Sequence, residues 1–496
     1  MHRSAPRVAK NTAAQFVARG LEGATNLAIT MLLARTLGAG ALGTFAFLTT
    51  YAGLFIFLGT LGLNLLMARD VARHREQARR YLSNALGMGL VLAIAAFALQ
   101  VGIIRLVSTD PLVRKGVYLA AAYAVLQSWE LLFVGVFYAL ERMELETICV
   151  VIEKAVLLGA VLAVVLTGGG VLQVLGAVAG AAGLVLIVYL ALSARLVGFP
   201  RPAADLALWR QLATQAWPFS LNLLLTQVYF QIYVVLVALL ASPRAAGYFR
   251  AGSVVALGLP ILASGLNRAL LPLMARAHPD RAAAFEFALD RSFRALALVG
   301  LPVAAGLVAL AHPLVLGFFG PRFVPALLVF QLLGASVPLK FAANTVGVAL
   351  TAADRQPQRT LAVAIGTAVC LTANLALIPR FHHNGAAVAA VATDLVILAL
   401  TYYYLRRAGY RLDMLRLSLR PALAAAVMGM LLWWMRGMTL AATIPAGVAI
   451  YAAAAYAVGA VRRSDLEWLR NAFGGSPIRA QDMTDSGGAG APPSSP

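Results

Sequence analysis

Fourteen apolar stretches, each about long enough to cross a bilayer as a helix, fill the chain almost from end to end. A span needs roughly 20 mostly apolar residues to cover a hydrocarbon core of about 30 Å. Lipid cannot satisfy exposed backbone groups, so helices are the expected form. The pattern predicts an all-α polytopic membrane protein with spans at approximately 12–36, 41–66, 82–106, 116–139, 147–167, 170–193, 215–240, 245–274, 291–311, 324–353, 358–379, 385–406, 418–437 and 440–461.

Charge places the ends of those spans. The chain is 61% hydrophobic and only 12% charged, with mean hydropathy +0.81, which is far from a soluble domain. Its net charge of +20 is strung between apolar stretches and not gathered on one polar domain, so membrane topology explains it and nucleic acid does not. Arg69, Arg73, Arg75, Arg79 and Arg80 follow span two, and Arg406, Arg407, Arg411, Arg416 and Arg420 follow span twelve. Connections on the side of the termini carry about 27 Lys and Arg against about 8 on the other, which predicts two cytoplasmic termini. Arg3, Arg7 and Lys10 precede span one without a cleavable-signal pattern, so the first helix reads as retained. The Gly-, Ser- and Pro-rich end, 466–496, reads as a disordered cytoplasmic tail.

Punctuation suggests an internal repeat. ARTLGAGALGTFAF after span one aligns with ALLASPRAAGYFRAG after span seven, pairing Gly43 with Gly247. The turn TGGG likewise aligns with HHNGAA. An even number of spans per copy gives two parallel six-helix bundles, 1–200 and 201–411, followed by two extra helices over 412–465. Such bundles enclose a cleft that can open to either side.

Polar side chains inside the spans are the candidates for function, since each costs a few kcal/mol in lipid. In span one Gln15, Arg19, Glu22, Asn26 and Thr30 form one helical stripe. Arg19 and Glu22 read either as cavity groups or as an internal ion pair. Span seven offers Asn222, Thr226, Tyr229 and Tyr233 with Gln227 and Gln231 beside them. Arg250 and Arg268, 18 residues apart in span eight, would share a face about 27 Å apart, suited either to diphosphate at two ends of a path or to snorkelling. Lys340, near the middle of span ten, continues into Asn344. Its repeat counterpart is Glu130, flanked by Gln127 and Ser128, and the two are expected to pair across the empty cleft. Asp394, with Asn374 nearby, is a candidate for a proton or coupling cation, or else packs on a hydroxyl or on Lys340. Substrate binding thus falls to Arg19, Asn26, Asn222, Gln227, Gln231, Arg250, Arg268, Lys340 and Asn344, and coupling or gating to Glu22, Glu130 and Asp394. Arg35, Arg322 and Arg380 sit at outer helix ends and read as interfacial, and Trp433 with Trp434 as membrane-facing or packing aromatics.

Enzymatic patterns are scarce. There is no Walker loop, GxSxG elbow, HExxH or paired CxxC, and Cys149 and Cys370 read as packing residues. His382 and His383 fall in a turn, so neither a metal nor another cofactor is expected. The outer connections are too short for a catalytic domain, which weighs against a membrane glycosyltransferase or polymerase.

Three stretches carry a family likeness: LLARTLGAGALGTFAF at 32–47, AAGYFRAGSVVALGLPILASGLNRALLPLMAR at 245–276 and LTANLALIPRFHHNGAAVAAVATD at 371–394. They resemble the Wzx-type flippases of lipid-linked sugars, within the superfamily that also holds lipid II flippases and multidrug extruders. The resemblance covers nearly the whole chain. It implies movement of undecaprenyl diphosphate-linked oligosaccharide from the cytoplasmic to the outer leaflet of a bacterial inner membrane. Polysaccharide polymerase, glycosyltransferases and membrane lipids would be the partners. Many relatives carry an acid midway along span seven, where this chain has Gln227 and Gln231. A multidrug or cation antiporter of the same superfamily is the competing reading, although an interior rich in arginine and lysine suits anions.

Overall fold

The helix starts are written in the sequence. Asp110 precedes Pro111 and its carboxylate accepts from the Leu112 N–H at 2.8 Å, while Ser242 precedes Pro243 and accepts from the Ala245 N–H at 3.1 Å. A small polar cap followed by proline satisfies one orphan donor and removes another. The computed structural model describes residues 5–461, and side chains other than those of 5–17, 217–226, 230, 261, 268 and 269. The expected tail therefore lies outside the described residues.

The first half consists of α1 (Ala5–Thr36), α2 (Gly38–Gly53), α3 (Ile56–Thr60), α4 (Leu63–Arg73), α5 (Ala78–Val107), α6 (Pro111–Ala139), α7 (Met143–Leu166) and α8 (Val171–Val197). The second runs through α9 (Leu206–Leu240), α10 (Pro243–Gly258), α11 (Pro260–Ala277), α12 (Ala282–Ala309), α13 (Ala311–Phe319), α14 (Leu327–Ala335), α15 (Val337–Ala352) and α16 (Gln356–Arg407). Then come α17 (Met414–Trp434), packed on α12, and α18 (Leu440–Ala457), packed on α17. Among the described residues there is no strand. The protein is an all-α, multi-pass membrane protein, with large apolar side chains such as Leu106, Ile187 and Trp434 turned outward.

Eleven helices among the described residues are long and apolar enough to span a bilayer, against fourteen expected. One difference is α16, whose 52 residues carry two expected spans through a kink at His382 (φ 51°, ψ −131°). The others involve α1 and α9, both partly outside the described side chains, so the count of fourteen is not established by these helices. Span two is broken as well: Leu61 (φ 43°) and Gly62 (φ 71°) turn the chain between α3 and α4, and a left-handed leucine costs about 1–2 kcal/mol. Span eight breaks at Pro260, which has no N–H to continue the ladder. Arg250 and Arg268 therefore do not share one continuous helix as the sequence suggested.

Two cores divide most of the packing. Leu82, Phe133, Phe137, Cys149 and Tyr189 join α5–α8 and take in Leu208, Leu212 and Ala216 from the start of α9. Phe285, Phe341, Val346, Ile378 and Leu405 join α12, α15 and α16 and take in Tyr233, Val234 and Val237 from its end. A third core, with Leu33, Leu42, Ala251, Leu314 and Phe330, forms where α1 and α2 meet α10, α13 and α14.

The two groups touch most closely where α2 crosses α10. A Cβ on Gly43 would overlap the Pro243 carbonyl oxygen, and one on Gly247 the Ala39 carbonyl oxygen. The glycines that align in the repeat are thus the ones that let the backbones meet. Toward the other end α4 packs on α6 and α9, and α11 on α15 and α12.

Candidate functional site

One turn beyond that crossing, on the same side of α10, stands Arg250. Positions 247, 250 and 254 follow helical spacing, so Arg250 continues the face that Gly247 presents to α2. The side chain is half-buried, and no carboxylate pairs with it among the described residues. An unpaired guanidinium inside a membrane protein is costly unless it meets water or an anion. Gln231 of α9 faces α2, its Nε2 3.8 Å from where a Cβ on Gly53 would stand. Gln227 is half-buried on the same helix, while the side chains of Asn222 and Arg268 lie outside the described residues.

Lys340 does not pair with Glu130. Its Nζ lies 2.7 Å from Asp394 Oδ2, and the Tyr229 hydroxyl donates to Asp394 Oδ1 at 2.7 Å. Asp394 is 1% exposed and the Lys340 side chain 9%, so α9, α15 and α16 meet at a buried, hydrogen-bonded ion pair. Repeat spacing predicts equivalent positions in two copies, and equivalence is not contact. Asn344, one turn beyond Lys340, accepts from Asn267 Nδ2 at 2.7 Å, and Asn267 in turn accepts from Ser292 at 2.7 Å. Asn344 is therefore tied into a buried amide network of α11, α12 and α15.

Glu130 lies wholly within the first half. Gln127 Nε2 reaches both Glu130 Oε2 at 3.2 Å and Glu153 Oε1 at 3.4 Å, and Lys154 Nζ closes on Glu153 at 2.7 Å. Glu153 and Lys154 went unread in the sequence. Their signal was present, two charges inside the apolar run VVIEKAVLL. On α1, Arg19 and Glu22 form an i,i+3 ion pair at 3.0 Å, with side chains 55% and 28% exposed, and Asn26 is exposed along the same stripe. Both cysteines are buried and free, and among the described residues no three His, Cys, Asp or Glu side chains gather as metal ligands.

Two helix groups thus meet at the α2–α10 crossing, with a guanidinium one turn further along α10 that no carboxylate pairs among the described residues, and a buried ion pair where α9, α15 and α16 meet. A family model for polysaccharide biosynthesis proteins matches residues 8–278. No curated protein matches the chain in sequence. Among solved structures, the lipid II flippase MurJ in an inward closed conformation superposes at TM-score 0.75, with 12% identity over 92% of this chain and 99% of that one. An inward-facing multidrug resistance MATE family transporter of the MOP superfamily gives 0.65, with 13% identity over 79% and 94%. A MOP superfamily transporter from Pyrococcus furiosus, described as having a binding pocket of reverse polarity, gives 0.55, with 13% identity over 82% and 96%. The likeness to all three is one of fold.

Proposed function

We propose, from the premise that the chain belongs to the polysaccharide biosynthesis protein family, that it is a flippase for undecaprenyl diphosphate-linked oligosaccharide. It works by alternating access of the bundles 1–200 and 201–411, in a bacterial inner membrane with both termini cytoplasmic. On that orientation the α2–α10 crossing closes the outer face, and substrate enters from the cytoplasmic side.

The observation that carries this reading is Arg250, half-buried and unmatched by any carboxylate among the described residues. A guanidinium binds phosphate oxygens in a fork and repels a cationic drug, which favours a diphosphate lipid over the cargo of a multidrug antiporter. Gln227 and Gln231 are uncharged donors and acceptors suited to sugar hydroxyls. Lys340 is a second phosphate partner only if substrate draws it from Asp394, so that pair is the natural place for coupling. Glu22 and Glu130, each matched within its own bundle, then serve gating at most.

Purified protein in liposomes with a fluorescent undecaprenyl diphosphate oligosaccharide provides the test. Leaflet exchange by the wild type that Arg250→Ala abolishes is the expected result. Absence of exchange together with saturable efflux of a cationic dye overturns it.

A further inference from the structure

An alternating transporter needs an end that is closed yet inexpensive to open, because a population difference of a few kcal/mol is all that a substrate can reverse. At the α2–α10 end the glycine crossing closes by shape. Arg35 adds direction. It lies in the last turn of α1, its Nε donates to the Phe318 carbonyl at 3.0 Å, and its Nη2 donates to the Gly317 carbonyl. Those carbonyls end α13, where a helix has acceptors without intrahelical partners and a partial negative charge. A planar guanidinium can serve two of them at once.

The bond joins the two helix groups. α1 packs on α7 in the first, and α13 belongs with α14 and the 321–326 turn of the second. Beneath it Ile29 and Leu33 share a core with Leu314, Val315 and Phe319. Among the described residues no other side-chain hydrogen bond links the groups at this end; Arg69 to Gln215 and Arg80 to Asp205 link the first group to α9 at the other. Arg35 is exposed, so its bonds can be exchanged for water at modest cost, as a gate requires.

We propose that Arg35 is the latch of this end, bonded to the α13 carbonyls when the end is closed, released when it opens, and setting the balance between the two. The proposal rests on the alternating-access reading above and replaces the expectation that Arg35 is merely interfacial.

Spin labels at Val107→Cys and Met438→Cys, exposed sites at the end of α5 and in the connection between α17 and α18, test it through their distance distribution in lipid; the native cysteines are buried. Arg35→Ala is expected to raise the ratio of long to short distances about tenfold, about 1.4 kcal/mol. Arg35→Lys, a single point charge before two carbonyls, should fall between. Distributions in both variants that match the wild type overturn the latch. If Arg35→Ala does not assemble, Arg35→Lys alone decides by the same criterion. The labels report without substrate, so a wild type that exchanges no lipid counts against the flippase reading and leaves the latch to be judged on distances.

Discussion

The two halves of the molecule match the charges within their helices in different ways. In the first half three acids inside the expected spans have a partner close by in sequence: Glu22 has Arg19, Glu153 has Lys154, and Glu130 has Gln127, which also reaches Glu153 on the next helix. In the second, Asp394 on α16 is answered by Lys340 on α15 and Tyr229 on α9, while Arg250 on α10 has no carboxylate at all among the described residues. Charges matched along one helix are fixed when that helix forms. Charges matched between helices, or left unmatched, depend on how helices are placed, so they can respond to movement or to a ligand. On the flippase reading proposed above, that contrast assigns the responsive chemistry to the second half.

The largest effects should come where the halves meet. Gly43→Ala puts a methyl group onto the Pro243 carbonyl oxygen, and backbone on both sides leaves nothing to yield. The closed α2–α10 end should be lost and transport with it, seen as disappearance of the short distance between labels at 107 and 438. Gly40→Ala, which meets nothing within 4 Å, is the matched control and should behave as wild type. Next is Lys340→Met. It leaves Asp394 buried beside a single hydroxyl, and removing one partner of such a pair costs about 3–5 kcal/mol. The double variant Lys340→Met with Asp394→Leu should regain most of that loss. Glu22→Gln, breaking the exposed i,i+3 pair, should cost about 0.2–0.5 kcal/mol. Thermal melting in detergent checks all three, and equal losses for Lys340→Met and Glu22→Gln would erase the contrast between the halves.

The same contrast explains what could be read in advance. Span existence follows from apolar length, which one dimension contains. So do the turn at His382 and, as one of two readings, the Arg19–Glu22 pair at one helical turn. The Gly43–Gly247 correspondence was legible as an alignment, and the fold turns it into a contact between α2 and α10. Lys340 shows the limit. Its repeat partner Glu130 was a sound analogy, but its partner in the fold is Asp394, 54 positions along the chain, which the sequence offered only as one alternative because spacing alone does not announce that the two helices are adjacent. Arg35 is more distant still, bonded to carbonyls some 283 residues away. Backbone acceptors have no sequence signature.

Arg250→Gln should separate function from stability. With no carboxylate to abandon among the described residues, its loss should leave the melting temperature unchanged or raised. Charge-assisted bonds to a diphosphate are worth about 1.5–3 kcal/mol, so exchange should slow by about 10- to 100-fold. A fall in melting temperature like that of Lys340→Met would show an unseen structural partner and move the responsive chemistry away from α10.

The smallest effect belongs to the tether that holds the start of α9 to the first half. Asp205 accepts from Arg80 at 3.0 Å and from the Leu208 N–H at 3.1 Å, while its own N–H donates to Asn84. The Arg80 hydrogen bond, helped by the Leu208 N–H, holds the carboxyl below its ordinary value of 3.8. A depressed acid contributes stability that is complete above that ordinary value and is lost as pH falls through the lowered one. Asp205→Asn keeps the helix cap and removes the charge. It should therefore leave melting at neutral pH nearly unchanged, since exposed pairs contribute little and are screened by salt, and should flatten the acid limb below pH 3.8. If instead it lowers neutral stability as Lys340→Met does, the tether is a main support of the fold, and the first half, too, relies on charges matched between distant segments.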